Sequence, residues 1–347
     1  MKLYLIYLIK NKWLQTLVMA LIPTLIFLIS VLMNTYRYYH ELIPGRPTFR
    51  TPDVFASALV FIMILIPIVT IFRLYIFRNS KDVDLYYSLP VSRQQLLLTQ
   101  LFFGFIQLLF IWTTMYFIGL IAFSILTDGS FLTGYLLLLY LVTIFYIAVL
   151  YGLTSYLFLK ANTLVDGIAF IIIFHTAFLF LSTFLASTQI RMLGFTHAFM
   201  FNPFYSISQL TYNLLYISRP DIGGSVPITH SLEIPHVFIN SLIFVTLSIF
   251  GFILSYQSIR TEKSENIGRL SLSKIGYKSL IPLNLLFISA STYTFFYSTS
   301  FIAIAIIAAA GFIGYFIMRR SVKITWVDIA SVVTPIIIAI IYISIMR

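Results

Sequence analysis

Apolar residues along this chain come in long blocks, and polar residues collect between them. Nine blocks stand out: 13–33, 54–76, 96–123, 131–158, 163–185, 237–256, 280–297, 301–318 and 327–346. A helix on the surface of a soluble protein carries a charged face, and these runs have none. Crossing the ~30 Å hydrocarbon core of a bilayer takes ~20 mostly apolar residues in a helix. The pattern therefore predicts an all-α polytopic membrane protein. The seventh run is the weakest, because Pro282, Asn284, Ser289, Ser291 and Thr292 dilute it. If that run is re-entrant, the count falls to eight and the C-terminus changes side.

Composition agrees: 60% of residues are hydrophobic and only 10% charged, against about a quarter charged in soluble domains. Cytoplasmic loops carry the excess of Lys and Arg. With the N-terminus inside, 16 of the 22 basic residues fall on cytoplasmic segments and 6 outside. The expected location is thus the cell (plasma) membrane, multi-pass, with a cytoplasmic N-terminus. Basic loops facing an anionic inner leaflet account for the net charge of +11, so no nucleic-acid partner is implied. Lys10, Asn11 and Lys12 interrupt the first apolar stretch and no signal-peptide cleavage pattern follows. Residues 1–12 are expected to form an interfacial helix. With no cysteine there is no disulfide framework and no thiolate metal site.

Capping chemistry marks three helix starts. Ser92 and Gln95 form a capping box ahead of the third run, and Thr163–Asp166 and Thr325–Asp328 repeat the pattern before the fifth and ninth. Asp166 and Asp328 then read as interface caps rather than intramembrane acids. His175 lies mid-run beside Thr176 and reads as a packed histidine. Ala305, Ala309, Ala310 and Gly314 give small-residue spacings suited to close helix packing.

Catalytic and cofactor signatures are missing. The chain has no H-E-x-x-H, no G-x-S-x-G and no G-x-x-x-x-G-K-[ST] phosphate loop. His197, His230 and His236 lack helical ligand spacing. No catalytic residue, metal or cofactor is expected in this chain, and energy for any active process has to come from a partner.

The segment KDVDLYYSLPVSRQQLLLTQ, 81–100, is a charged island between the second and third runs. Asp82 and Asp84 fall in the first turn of a short helix, where the dipole favours acids. Leu85, Tyr86 and Tyr87 project a compact aromatic patch, followed by Ser88. Leu89 precedes Pro90, which ends the helix, and the capped third span begins near Arg93. The residues alone allow a docking surface or an interfacial loop with tyrosines at headgroup level.

A second unusual stretch, 186–236, joins the fifth and sixth runs. Phe195, Phe199, Phe201, Phe204 and Tyr205 make it apolar. Asn202-Pro203 reads as an N-cap with Pro at the first helical position. Ile207, Leu210 and Leu214 continue from Phe204 at helical spacing until Pro220, Gly223, Gly224 and Pro227. An interfacial or re-entrant helix pair is expected.

The run Asp84, Leu85, Ser88, Leu89, Pro90, Val91, Ser92, Arg93 resembles the segment between the second and third membrane helices of ABC-2-type exporter permeases. The resemblance covers roughly Met1–Arg260. Many relatives carry Gly-Lys near the position of Thr99–Gln100, which this chain lacks, and the family core has six spans. It implies a six-span permease core over 13–258, with a coupling loop at 77–95 and the outer re-entrant region at 186–236. A cytoplasmic linker, 259–279, and two or three extra spans, 280–347, follow. It further implies that Asp82, Asp84, Leu85, Tyr86, Tyr87, Ser88, Leu89, Pro90 and Arg93 contact a separate ABC ATPase subunit, which holds ATP-Mg. Phe199, Phe201, Asn202, Pro203, Phe204 and Tyr205 would then stand over the outer gate. A second permease subunit, identical or related, completes the path. The nearly uncharged bundle suits a hydrophobic or amphipathic cargo such as a peptide or lipid-like molecule. Three other readings stay open: an ATPase-independent secondary transporter or channel, a polytopic membrane enzyme, and an ABC-type sensor or resistance complex that detects a drug or peptide.

Overall fold

The computed structural model describes residues 2–40, 51–79, 91–126, 133–187, 234–261, 267–269, 271, 276–296 and 301–346. Among the described residues the chain is all α-helix apart from turns and short connections. In chain order the helices are α1 (Lys2–His40), α2 (Thr51–Leu74), α3 (Arg93–Leu126), α4 (Thr133–Leu159) and α5 (Leu164–Ser187). They continue with α6 (Ile234–Thr261), α7 (Tyr277–Phe296), α8 (Phe301–Arg319) and α9 (Trp326–Met346). Each apolar run is therefore one helix. Seven contain stretches long and apolar enough to cross a membrane, in α1 to α6 and in α8. Residues 1–12 do not form a separate element: α1 runs unbroken from Lys2. Lys10, Asn11 and Lys12 stay exposed on that rod, and nothing in them breaks a helix.

Two compact units can be distinguished. The first comprises Met1–Arg73, Pro90–Thr154 and Pro203–Tyr256; the second comprises Leu74–Leu89, Ser155–Asn202 and Gln257–Arg347. In the first, α1 packs along α3. Gly119 permits this approach, since a Cβ there would overlap the Phe27 ring. Phe27, Phe55, Trp112, Tyr116 and Phe123 are all buried. Phe55 is the hub, with ring centroids 5.6 Å from Tyr116 and 5.8 Å from Phe123, in the tilted and edge-on geometries that aromatic rings favour. In the same unit Arg73 is buried. Its Nε donates to Gln107 Oε1 at 2.8 Å and its guanidinium lies 4.4 Å from the Phe103 ring centre.

The second unit contains the C-terminal helices. Phe170, Leu280, Ile281, Leu285, Ile307, Val332 and Ile336 form its core. Gly311 sits against Leu285 and Val332, so α7, α8 and α9 meet there with little space. Helices α5 and α7 are joined by a ladder of polar contacts. Tyr277 donates to Asp166 Oδ1 at 2.9 Å, Asn284 Nδ2 donates to Thr176 Oγ1 at 2.9 Å, and Ser291 donates to the Phe180 carbonyl at 2.7 Å. The partners ascend both helices in the same order, so α5 and α7 run parallel. The rungs on α7 recur every seven residues, the repeat that keeps one face of a helix on its neighbour. From Tyr277 to Ser291 the ladder covers about 21 Å at 1.5 Å per residue. A re-entrant segment would reverse within that distance, whereas α7 is one helix of 20 residues. Two of the residues that dilute its hydropathy, Asn284 and Ser291, are turned to α5.

This ladder has a measurable consequence. Asn284→Ala is expected to lower the unfolding free energy by about 1 kcal/mol, the scale of interhelical hydrogen bonds in membranes. Thr176→Val should cost a similar amount. In a double-mutant cycle the combined variant should lose scarcely more than either single one. Additive losses on denaturation in detergent would show that the two side chains do not interact.

Candidate functional site

The segment between α2 and α3 is the candidate site. Asp82, Asp84, Leu85, Tyr86, Tyr87, Ser88, Leu89 and Pro90 lie outside the described residues, as do Phe199, Phe201, Asn202, Pro203, Phe204 and Tyr205 of the outer region. What the structure defines is how the segment is held at its two ends.

At the first end, α2 tightens into a single 3-10 turn, Tyr75–Phe77. The Tyr75 carbonyl accepts from the amides of Arg78 and Asn79 at 2.9 and 3.1 Å. The Asn79 side chain hydrogen-bonds to the Tyr75 hydroxyl. Arg78 is turned inward and buried. Its guanidinium donates to the carbonyls of Phe77 and, 81 residues away, Leu159. Leu159 is the last residue of α4, so a fixed cation satisfies an orphan carbonyl at a helix C-terminus, where the macrodipole favours positive charge.

The rest of the α4–α5 turn is tied in turn to the segment after α6. The Lys160 carbonyl accepts from Ser271 Oγ at 3.2 Å, and the Asn162 carbonyl accepts from the Gly268 amide at 2.9 Å. Gly268 has φ +87°, a left-handed conformation that suits glycine. Ile267 and Ser271 beside it are buried. Residues 259–279 are thus more than a solvated linker where they are described. Just beyond the turn, Thr163 Oγ1 caps α5 by accepting from the Asp166 amide at 3.1 Å. The Asp166 carboxylate does not reach back as a cap; it accepts the hydrogen bond of the Tyr277 hydroxyl described above.

At the other end, Ser92 caps α3. Its Oγ accepts from the Gln95 amide at 3.2 Å and its carbonyl accepts from the Leu96 amide at 2.9 Å. Arg93, the first residue of α3, is half-buried. Gln94 Nε2 donates to the Tyr256 carbonyl at 3.2 Å, tying the start of α3 to α6 within the first unit.

Sequence reasoning located the Ser92 cap but missed Arg78 as an anchor. Its carbonyl partner belongs to the main chain of a distant helix, and no side-chain pattern announces it. Among the described residues no group of three or more His, Cys, Asp or Glu is placed to hold a metal ion. His175 rests edge-on against Phe174, with centroids 5.7 Å apart.

Fold and site together define an all-α polytopic membrane protein whose α2–α3 segment is held at both ends by hydrogen bonds to distant parts of the chain. Comparison with protein-family models, curated proteins and solved structures returns no match.

Proposed function

We propose that this chain is the permease subunit of an ATP-driven ABC exporter in the plasma membrane, with its N-terminus in the cytoplasm. It hydrolyses nothing itself; ATP-Mg is bound and cleaved on a separate ATPase subunit that docks on residues 82–93. A second permease subunit lines the other half of the path, and the cargo is a hydrophobic or amphipathic peptide or lipid-like molecule moved outward. The observation that carries this reading is the segment Asp84–Arg93, whose residues resemble the coupling loop of ABC-2 permeases and whose chain position is between α2 and α3. Its anchoring supports the same role. A loop that transmits force needs stiff connections, and Arg78 at one end and the Ser92 cap at the other supply them. Affinity purification of the tagged chain from its own membranes tests the proposal. The expected result is an ATPase subunit, retained through detergent washing, whose ATP hydrolysis is measurable in the complex. A chain that purifies without any nucleotide-binding protein, yet moves cargo in vesicles free of ATP, would overturn it.

A further inference from the structure

The turn between α8 and α9 carries features that the transport reading does not use. Helix α8 ends at Arg319, and α9 begins at Trp326. Arg320 has φ +51°, a left-handed conformation uncommon for any residue other than glycine. The Arg320 amide bonds to the Ile317 carbonyl at 3.4 Å and the Ser321 amide to the Phe316 carbonyl at 3.3 Å, which is the Schellman arrangement at a helix C-terminus. An arginine therefore holds a place that glycine would fill with less strain. On the other side of the turn, Asp328 accepts from the Thr325 amide at 2.9 Å and from Arg319 at 2.7 Å. These bonds fix the turn and neutralise Arg319 against Asp328. Arg320 and Lys323 are exposed, and neither has an ion-pair partner among the described residues. Between and beside them stand Val322, Ile324, Trp326 and Val327, with relative exposures of 78, 51, 85 and 71%.

An apolar and aromatic patch of this exposure, fixed in shape and flanked by two unpaired cations, lies at the end of the candidate span Ile302–Arg319. That is the level of the headgroups, where tryptophan and basic side chains concentrate. We infer that the α8–α9 turn is a docking surface for anionic phospholipid headgroups, with Arg320 and Lys323 on the phosphates and Trp326, Val322 and Ile324 inserted at the boundary of the acyl region. Charge complementarity selects this occupant: the exposed face of the turn is positive, and its one described acid, Asp328, is buried and paired. A zwitterionic lipid offers a phosphate too, but its own cation cancels the charge, so the net attraction to Arg320 and Lys323 is lost.

Trp326 is itself the probe. Fluorescence of the native chain minus that of Trp326→Phe isolates its signal without altering the buried Trp112. In nanodiscs the Trp326 signal should be quenched by acyl-brominated phosphatidylglycerol more than by acyl-brominated phosphatidylcholine at equal mole fraction. Each basic residue near an anionic surface contributes about a fivefold preference, so the double variant Arg320→Gln, Lys323→Gln should bring the two curves together. Both substitutions are at exposed positions, and unchanged helicity and elution volume check the fold. Equal quenching by the two lipids in the native chain would overturn the inference. So would quenching by aqueous acrylamide alone, which would leave the surface in water. Shielding from both acrylamide and lipid would assign it to a protein partner and would overturn it as well.

Discussion

Replacing Tyr86 and Leu89 together by alanine is expected to leave the chain in the membrane while abolishing its association with an ATPase subunit. The apolar runs that direct insertion are untouched by these changes. On the proposed function, what is lost is the buried part of the contact. An aromatic anchor at an interface centre costs roughly 2–4 kcal/mol when truncated, so the loss of Tyr86 alone should weaken binding by about thirtyfold or more, and the loss of Leu89 should add to it. Co-purification of the ATPase with the variant, against the native chain at equal membrane abundance, reads this directly. Normal recovery of the partner would remove residues 82–93 as the docking site. An ordinary interfacial loop predicts something different, since trimming two side chains at headgroup level changes no protein partner.

The docking role and the anchoring of the segment rest on different kinds of information. The Ser92 cap was legible in the sequence because it acts locally: an oxygen acceptor stands three residues before an orphan amide, and that pattern is written in consecutive letters. The nine helices among the described residues were legible for a similar reason. Lipid imposes one requirement on every segment, that it satisfy its own backbone, so each run declares itself without reference to the others. Which segments touch is a different question. The ladder from α5 to α7 joins residues 108 to 111 positions apart, and hydropathy registers its polar rungs only as a weaker span. Asn284 and Ser291 weaken the seventh run and are also what holds it to α5. The same blindness explains Asp166. Its place three residues after Thr163 predicts a reciprocal cap, but Tyr277 is a better partner, and that tyrosine is visible only once α7 is packed in place.

Arg78 follows from this difference and gives the second large effect. Its guanidinium caps the C-terminal carbonyl of α4, and the neighbouring carbonyls of the same turn are held by Ser271 and Gly268. A hydrogen bond from a charged donor is worth roughly 1.5–3 kcal/mol, and the carbonyl left behind is buried. Arg78→Ala should therefore destabilise the chain by about that amount. Its functional consequence should differ in kind from that of the Tyr86 and Leu89 changes. On the proposed function the docking face would remain, so the ATPase should still co-purify and hydrolyse ATP. The stiff connection from that face to the α4–α5 turn is cut, so cargo movement per ATP hydrolysed should fall by an order of magnitude or more on the proposed mechanism. Arg78→Lys keeps the charge but loses the fork that spans the Phe77 and Leu159 carbonyls, and should lie between. Transport and hydrolysis measured on the same vesicles separate the outcomes. A parallel loss of both would make Arg78 a purely structural residue, whereas hydrolysis without transport would make it the link through which the loop acts on the membrane helices.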